Sequence, residues 1–131
     1  MDWVARLQQE MPPLPRWMGI TVRVAEPERV VCELTVRDEL CTSGDIMHGG
    51  AIMAFADTVG ALGTIVNLRE GQGTTTLESK TNFFAGSSVG ARLIAEATPL
   101  HRGRRTQVWE TRITNEQGRL VAKITQTQMV L

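Results

Sequence analysis

The chain has 131 residues, 42% of them apolar and 21% charged, with 14 Lys and Arg set against 14 Asp and Glu. That is the size of one hydrophobic core and the composition of a folding chain. A formal charge of zero removes the basic excess with which nucleic-acid binders displace counterions from phosphate, so neither DNA nor RNA is an expected partner.

Trp3, Leu7 and Met11 recur at helical spacing, which predicts a short lid or packing helix over residues 2–11. Pro12, Pro13 and Pro15 are expected to stop it. Asp2, Arg6 and Glu10 interrupt the apolar residues, unlike the h-region of a signal peptide, and a cytoplasmic protein is expected. Alternation with period two over Met18–Val24 and Arg29–Val36, around Glu26-Pro27-Glu28, predicts a β-hairpin. Cys32 falls in that alternation, with Val30, Leu34 and Val36, and reads as a small buried hydrophobe. Cys41 is the other cysteine, and no CxxC or Cys/His cluster suggests a disulfide framework or a zinc site.

Residues 37–47 are polar and read as a loop. From Gly49 to Leu68 the only ionisable side chain is Asp57. The run is long enough to cross a bilayer, but its glycines and threonines dilute it, and a central Asp costs roughly 2.5–3.5 kcal/mol against insertion. No membrane is expected; an all-round apolar helix must be wrapped by its own protein. After a turn at residues 69–73, alternation predicts strands over Thr74–Phe84, Ala91–Leu100, Arg104–Thr114 and Arg119–Leu131, with hairpin-like connections between them. The predicted fold is α+β: an antiparallel sheet curled around one central helix, in a single domain spanning residues 1–131.

Two features carry chemistry. A carboxylate at Asp57 loses hydration unless it is hydrogen-bonded or protonated. It is either a polar residue satisfied by water or a nearby hydroxyl, such as Thr58 or Thr74–Thr76, or a general base or nucleophile. His48-Gly49-Gly50 stands where the loop becomes the helix. There the first amides lack intrahelical acceptors and the helix dipole favours negative charge, so Gly49 N–H suits a developing oxyanion. Equally, His48 could simply cap a glycine turn. Gly49 and Asp57 are eight residues apart, about 12 Å along one helix, too far for both to serve one carbonyl. If both act, Asp57 of one chain must meet Gly49 of another, which antiparallel helices about a twofold axis achieve.

The run from His48 to Asp57, with Thr81-Asn82-Phe83-Phe84 and Gly103-Arg104-Arg105, resembles the hotdog-fold acyl-CoA thioesterases of the phenylacetate-pathway (PaaI-like) type. The resemblance extends over nearly all of the chain after Met18. It implies a homodimer that completes the site, pairing further into a homotetramer, and an acyl-CoA substrate. It assigns the oxyanion donor to Gly49, the nucleophile or general base to Asp57, a loop-orienting role near the thioester to His48, and water-holding to Thr76, with Thr75 or Thr74 as register alternatives. The family often has Asn or Gln six residues before the HGG histidine. Thr42 stands there, beside Ser43, and a hydroxyl reaches less far.

Gly50 would let the ligand approach the backbone. Arg102, Arg104 and Arg105 form the densest basic cluster and suit the phosphates of coenzyme A, with Lys80 a weaker candidate. Phe83, Phe84, Phe55, Trp17 and Met53 are candidate acyl walls. The expected reaction is hydrolysis to free acid and CoA without metal or separate cofactor. The rivals are a hotdog hydratase or dehydratase and a non-catalytic acyl-CoA-binding module.

Overall fold

A computed structural model describes residues 1–131. In chain order it contains α1 (Trp3–Gln9), α2 (Pro13–Met18), β1 (Thr21–Glu26), β2 (Arg29–Thr35), a 3-10 turn (Asp38–Leu40), β3 (Cys41–Thr42), β4 (Ile46–Met47), α3 (Gly49–Val66), β5 (Thr74–Phe83), β6 (Arg92–Arg102), β7 (Thr106–Thr114) and β8 (Leu120–Val130). The alternating runs became strands for the expected reason. Leu93, Ala95, Ala97, Trp109 and Ile113 point inward and are fully buried. Their outward neighbours form ion pairs, such as Arg29 with Glu96 at 2.8 Å and Lys123 with Glu110 at 3.1 Å.

The six long strands make one antiparallel sheet in the order β1-β2-β6-β7-β8-β5, and β3 pairs only with β4. The expected hairpin between β5 and β6 is therefore corrected. β6 is already paired on both sides, with β2 and β7, so the chain leaves β5 on the far edge beside β8 and crosses back through residues 84–91. That crossing segment is tied to β4 by Met47 N–H donating to Ser87 O at 2.8 Å. The predicted 37–47 loop also holds more order than expected, in the 3-10 turn and the β3–β4 hairpin.

A second helix, not foreseen, begins at the proline cluster. The cluster ends α1 but starts α2, because proline fits the first turn of a helix, where its missing N–H is not needed. The α2 carbonyls are capped from a distance: the Arg37 guanidinium donates to Trp17 O and Met18 O and lies 4.4 Å above the Trp17 ring. Gln8 fastens α1 to β1, accepting from Val22 N–H at 2.8 Å and donating to Ile20 O at 3.2 Å.

The long apolar helix, α3, is the core helix. Ile52, Phe55, Ala56, Val59, Leu62 and Val66 form the buried stripe against the concave sheet. Two helix-interior glycines lie on this side, each costing about 1 kcal/mol relative to alanine. The backbone approach explains them. A Cβ on Gly63 would sit 2.8 Å from the Trp109 ring, and one on Gly60 would overlap the Gln126 carboxamide. Packing the fully buried indole against bare backbone returns more than the glycines cost.

Candidate active site

His48 is the N-cap of α3. Its Nδ1 accepts the Gly50 N–H at 2.7 Å, while its own N–H donates to Leu40 O at 2.8 Å. The Gly49 N–H, at the first helical position, has no acceptor within the chain. One donor thus faces outward with the helix dipole behind it, and the next is spent on holding the histidine. A Cβ on Gly50 would stand 2.9 Å from that imidazole, and one on Gly49 3.3 Å from the Phe83 ring. A side chain at Gly50 would therefore displace the capping imidazole, and one at Gly49 would press on the Phe83 ring.

Asp57 sits two turns further on, half-buried. The Thr76 hydroxyl lies 2.6 Å from its Oδ1, and Gln126 Nε2 donates to the same oxygen at 3.3 Å and to the Asp57 carbonyl at 3.2 Å. Oδ2 receives no hydrogen bond, and Asp57 lines a shallow hollow with Met53, Thr76 and Ser79. Of the register alternatives, Thr76 is the residue brought to Asp57; the Thr74 hydroxyl turns to Met129 O instead, and Thr75 is exposed. A bulge between Thr76 and Glu78 sets this aim. Leu77 is the extra residue, and the inward side switches from Thr74 and Thr76 to Ser79 and Thr81 across it.

The other expected residues divide. Phe83 packs on Gly49, half-exposed, and Phe84 is half-exposed beside it with its N–H held by Val121 O. Phe55, named as a possible acyl wall, is wholly buried on the sheet side of α3 and belongs to the core. Thr42 is exposed on the β3–β4 hairpin without a side-chain hydrogen bond, and nothing within the chain brings it to Asp57. Lys80 is spent on Asn82 Oδ1 at the surface.

Two clefts run between α3 and the α1–α2 segment and share Leu14 and Ala54 as walls. One, of about 230 Å³, reaches His48 past Trp17 and Cys41. The other, of about 330 Å³, has Asp57 at its edge and Leu7, Ala61, Leu62 and Ile65 as its apolar lining. Arg102 and Arg104 line a third cavity, of about 350 Å³, together with Arg69, Gln72 and Asn67, at the C-terminal end of α3. Arg102 is anchored there by Pro27 O at 3.1 Å, and Arg105 lies on the same hairpin outside the cavity. Arg69 was not anticipated, because it enters from a different segment.

Neither thiol has the electrostatics of a nucleophile. Burial pushes Cys32 up to about 12, and desolvation followed by the charges of Asp38 and Asp45 raises Cys41. Both cysteines are free. No group of three or more His, Cys, Asp or Glu side chains is placed to hold a metal ion.

Comparison with known proteins agrees with this architecture. Residues 44–122 match the thioesterase superfamily model. A 1,4-dihydroxy-2-naphthoyl-CoA hydrolase of Listeria monocytogenes is 28% identical over 108 residues, 82% of this chain and 87% of that protein. The crystal structure of a hypothetical thioesterase protein of Streptococcus pneumoniae with coenzyme A superposes with a TM-score of 0.79 at 27% identity, over 86% of this chain and 85% of that one. The E. coli PaaI protein of the phenylacetic acid degradation operon shares the fold, with a TM-score of 0.89 at 23% identity over 98% and 91%. A central helix wrapped by an antiparallel sheet, the HGG cap at its start and a family match across both place this chain in the thioesterase superfamily, as a thioester hydrolase of the hotdog fold.

Proposed function

We propose that the protein hydrolyses acyl- or aryl-acyl-CoA thioesters, with Gly49 N–H as the oxyanion donor and Asp57 of the partner subunit as nucleophile or general base. One observation carries the reading. The chain presents an unpaired helix-terminal amide and a carboxylate oxygen free of hydrogen bonds, about 12 Å apart along one helix, so each waits for the complement that a second copy supplies. The thioester carbonyl oxygen accepts from Gly49 N–H, which stabilises the tetrahedral intermediate. Oδ2 of Asp57 either attacks the carbonyl carbon, expelling the thiolate and leaving a mixed anhydride for water to open, or takes a proton from the water that attacks. In both routes the C–S bond breaks and the sulfur leaves as CoA thiol; in direct attack water supplies the acid's second oxygen, whereas opening the anhydride at the Asp57 carboxyl carbon leaves the water oxygen on the protein and sends Oδ2 away with the acid. No metal or separate cofactor is needed. Retention of label in the protein carboxylate after a single turnover in ¹⁸O-water favours the anhydride route; label only in the product acid favours direct water attack.

The far edge of the sheet supports the dimer. β5 has a free side, and Leu77, Phe83 and Phe84 along it are each more than half exposed, with Met53 of α3 nearby. A long unpaired strand edge that also exposes these aromatic and aliphatic side chains needs a cover. Antiparallel pairing of two β5 strands gives that cover and runs the two α3 helices antiparallel. Pairs of dimers would make the tetramer.

The acyl group fits the cleft beside Asp57, and the cavity of Arg69, Arg102 and Arg104 suits phosphates, ten residues and about 15 Å along α3 from Asp57. The coenzyme A held by the pneumococcal relative supports that substrate class. Free thiols on Cys32 and Cys41 suit a reducing cytoplasm. A thiol-release assay over short, medium, long, benzoyl and arylacetyl CoA esters tests the reading. Turnover of at least one ester and an Asp57→Asn loss of at least about a hundredfold are expected; near-normal activity of Asp57→Asn overturns the mechanism.

A further inference from the structure

Behind Asp57 lie two glutamines that no step above uses. Gln126 and Gln128 are inward residues of β8, continuing the row of Ala122 and Ile124, and are 1% and 0% exposed. Burying two primary amides in an apolar core is costly unless each is bonded. Their bonds converge on the carboxylate. Gln126 Nε2 stands within 3.2 Å of the Asp57 carbonyl, 3.3 Å of Asp57 Oδ1 and 2.9 Å of Gln128 Oε1. All three are acceptors, so the nitrogen end of the Gln126 amide must face them. Its oxygen is left against Gly60 with no partner, an expense that buys nothing for the core itself. Gln128 is fixed in turn: its Nε2 donates to Thr74 Oγ1 at 3.0 Å, which leaves Oε1 toward Gln126 and Thr76.

Proton counting then constrains Thr76. Its hydroxyl lies 2.6 Å from Asp57 Oδ1 and 2.5 Å from Gln128 Oε1, yet carries one hydrogen. When Asp57 is ionised, that hydrogen goes to the charged oxygen, where the bond is stronger, and the second Gln126 hydrogen serves Gln128. When Asp57 is protonated on Oδ1, its own proton can bond Thr76 Oγ1 and the threonine hydrogen turns to Gln128. The chain of donors therefore has a bonded arrangement for each state of the carboxyl group, and in both Oδ1 is the anchored oxygen.

We propose that Gln126 is a positioning residue, supported by Gln128, that pins Asp57 Oδ1 together with Thr76 and so presents Oδ2 as the single reacting oxygen. The assignment rests on the reading of Asp57 given above. A carboxylate free to rotate would offer either oxygen at the wrong angle for much of the time, so loss of the pin lowers kcat and leaves KM, which the clefts set, nearly unchanged.

The test compares Gln126→Met, similar in length but without a donor, with Thr111→Val, a fully buried hydroxyl of β7 that has no hydrogen-bond partner. Steady-state kinetics on the best CoA ester should show a kcat loss of roughly ten- to a hundredfold in Gln126→Met, with KM within about twofold, as expected for one hydrogen bond to a charged group. Thr111→Val should keep wild-type kcat. Wild-type kcat in folded Gln126→Met, or an equal loss in Thr111→Val, overturns the proposal. If Gln126→Met does not fold, Gln128→Met carries the same comparison with the same two outcomes. Asp57→Asn, assayed alongside, separates the two levels. An active Asp57→Asn fails the underlying reading, whereas an inactive one with normal Gln126→Met kinetics fails this inference alone.

Discussion

The two sides of α3 are built on opposite terms. Toward the sheet, Phe55, Ala56 and Val59 are fully buried, and Gly60 and Gly63 bring the backbone against Gln126 and Trp109 with no space left. Away from the sheet, Gly50, Met53, Asp57 and Ala61 stay partly exposed beside clefts and a free strand edge. One side is closed by this chain and the other stays open to solvent. The difference separates residues whose loss should cost stability from residues whose loss should cost activity, and Asp57 lies on the boundary, anchored from the closed side and open on the other.

The largest expected effect is on the closed side. Trp109→Ala leaves a cavity under Gly63 and should lower unfolding free energy by about 3–5 kcal/mol in denaturant titrations. Cys32, also fully buried, gives the closed side a pH signature. Its thiol titrates near 12 in the fold against an ordinary value of 9.0, so above pH 9 the unfolded chain releases its proton first. The folded state then binds more protons, and stability falls as pH rises from 9 to about 12, by up to about 4 kcal/mol in all. Cys32→Ala should remove that part of the alkaline slope; an unchanged slope between wild type and variant would show that Cys32 is not its source.

On the open side the expected effects move to assembly and turnover. Phe83→Lys places a further charge on the β5 edge and should yield monomers in sedimentation, with thiol release down by at least about tenfold and an unfolding midpoint that no longer depends on protein concentration. A dimeric, active Phe83→Lys would break the comparison.

The same division governs what the sequence made legible. Period-two alternation marked six long strands, and one carboxylate in an apolar run marked both the core helix and the candidate site. Spacing also carried a condition: if Gly49 and Asp57 both act on one carbonyl, the eight helical residues between them call for a second chain. Other features hid because they depend on partners distant in the chain. Gln126 and Gln128 look like two polar residues in a strand until β5 and α3 are set against them, though their place in an inward row was a usable signal. Arg69 joins Arg102 and Arg104 only through the end of α3. Proline obscured α2, since the residue that forbids a helix interior also favours a helix start. The β5–β6 connection was misjudged because local turn signals do not say which edge of a sheet is still free.

The central claim is that each active site takes Gly49 from one chain and Asp57 from another. Its most direct measurement is complementation: Asp57→Asn and Gly49→Val, each inactive alone, are co-expressed with different tags and the mixed oligomer is purified and assayed for CoA-thiol release. Random pairing makes half the dimers mixed, each with one of its two sites intact, so an unfractionated mixture should recover about a quarter of wild-type activity and the isolated mixed dimer about half. A mixed dimer that forms in good yield and stays as inactive as its parents would contradict a site shared between chains.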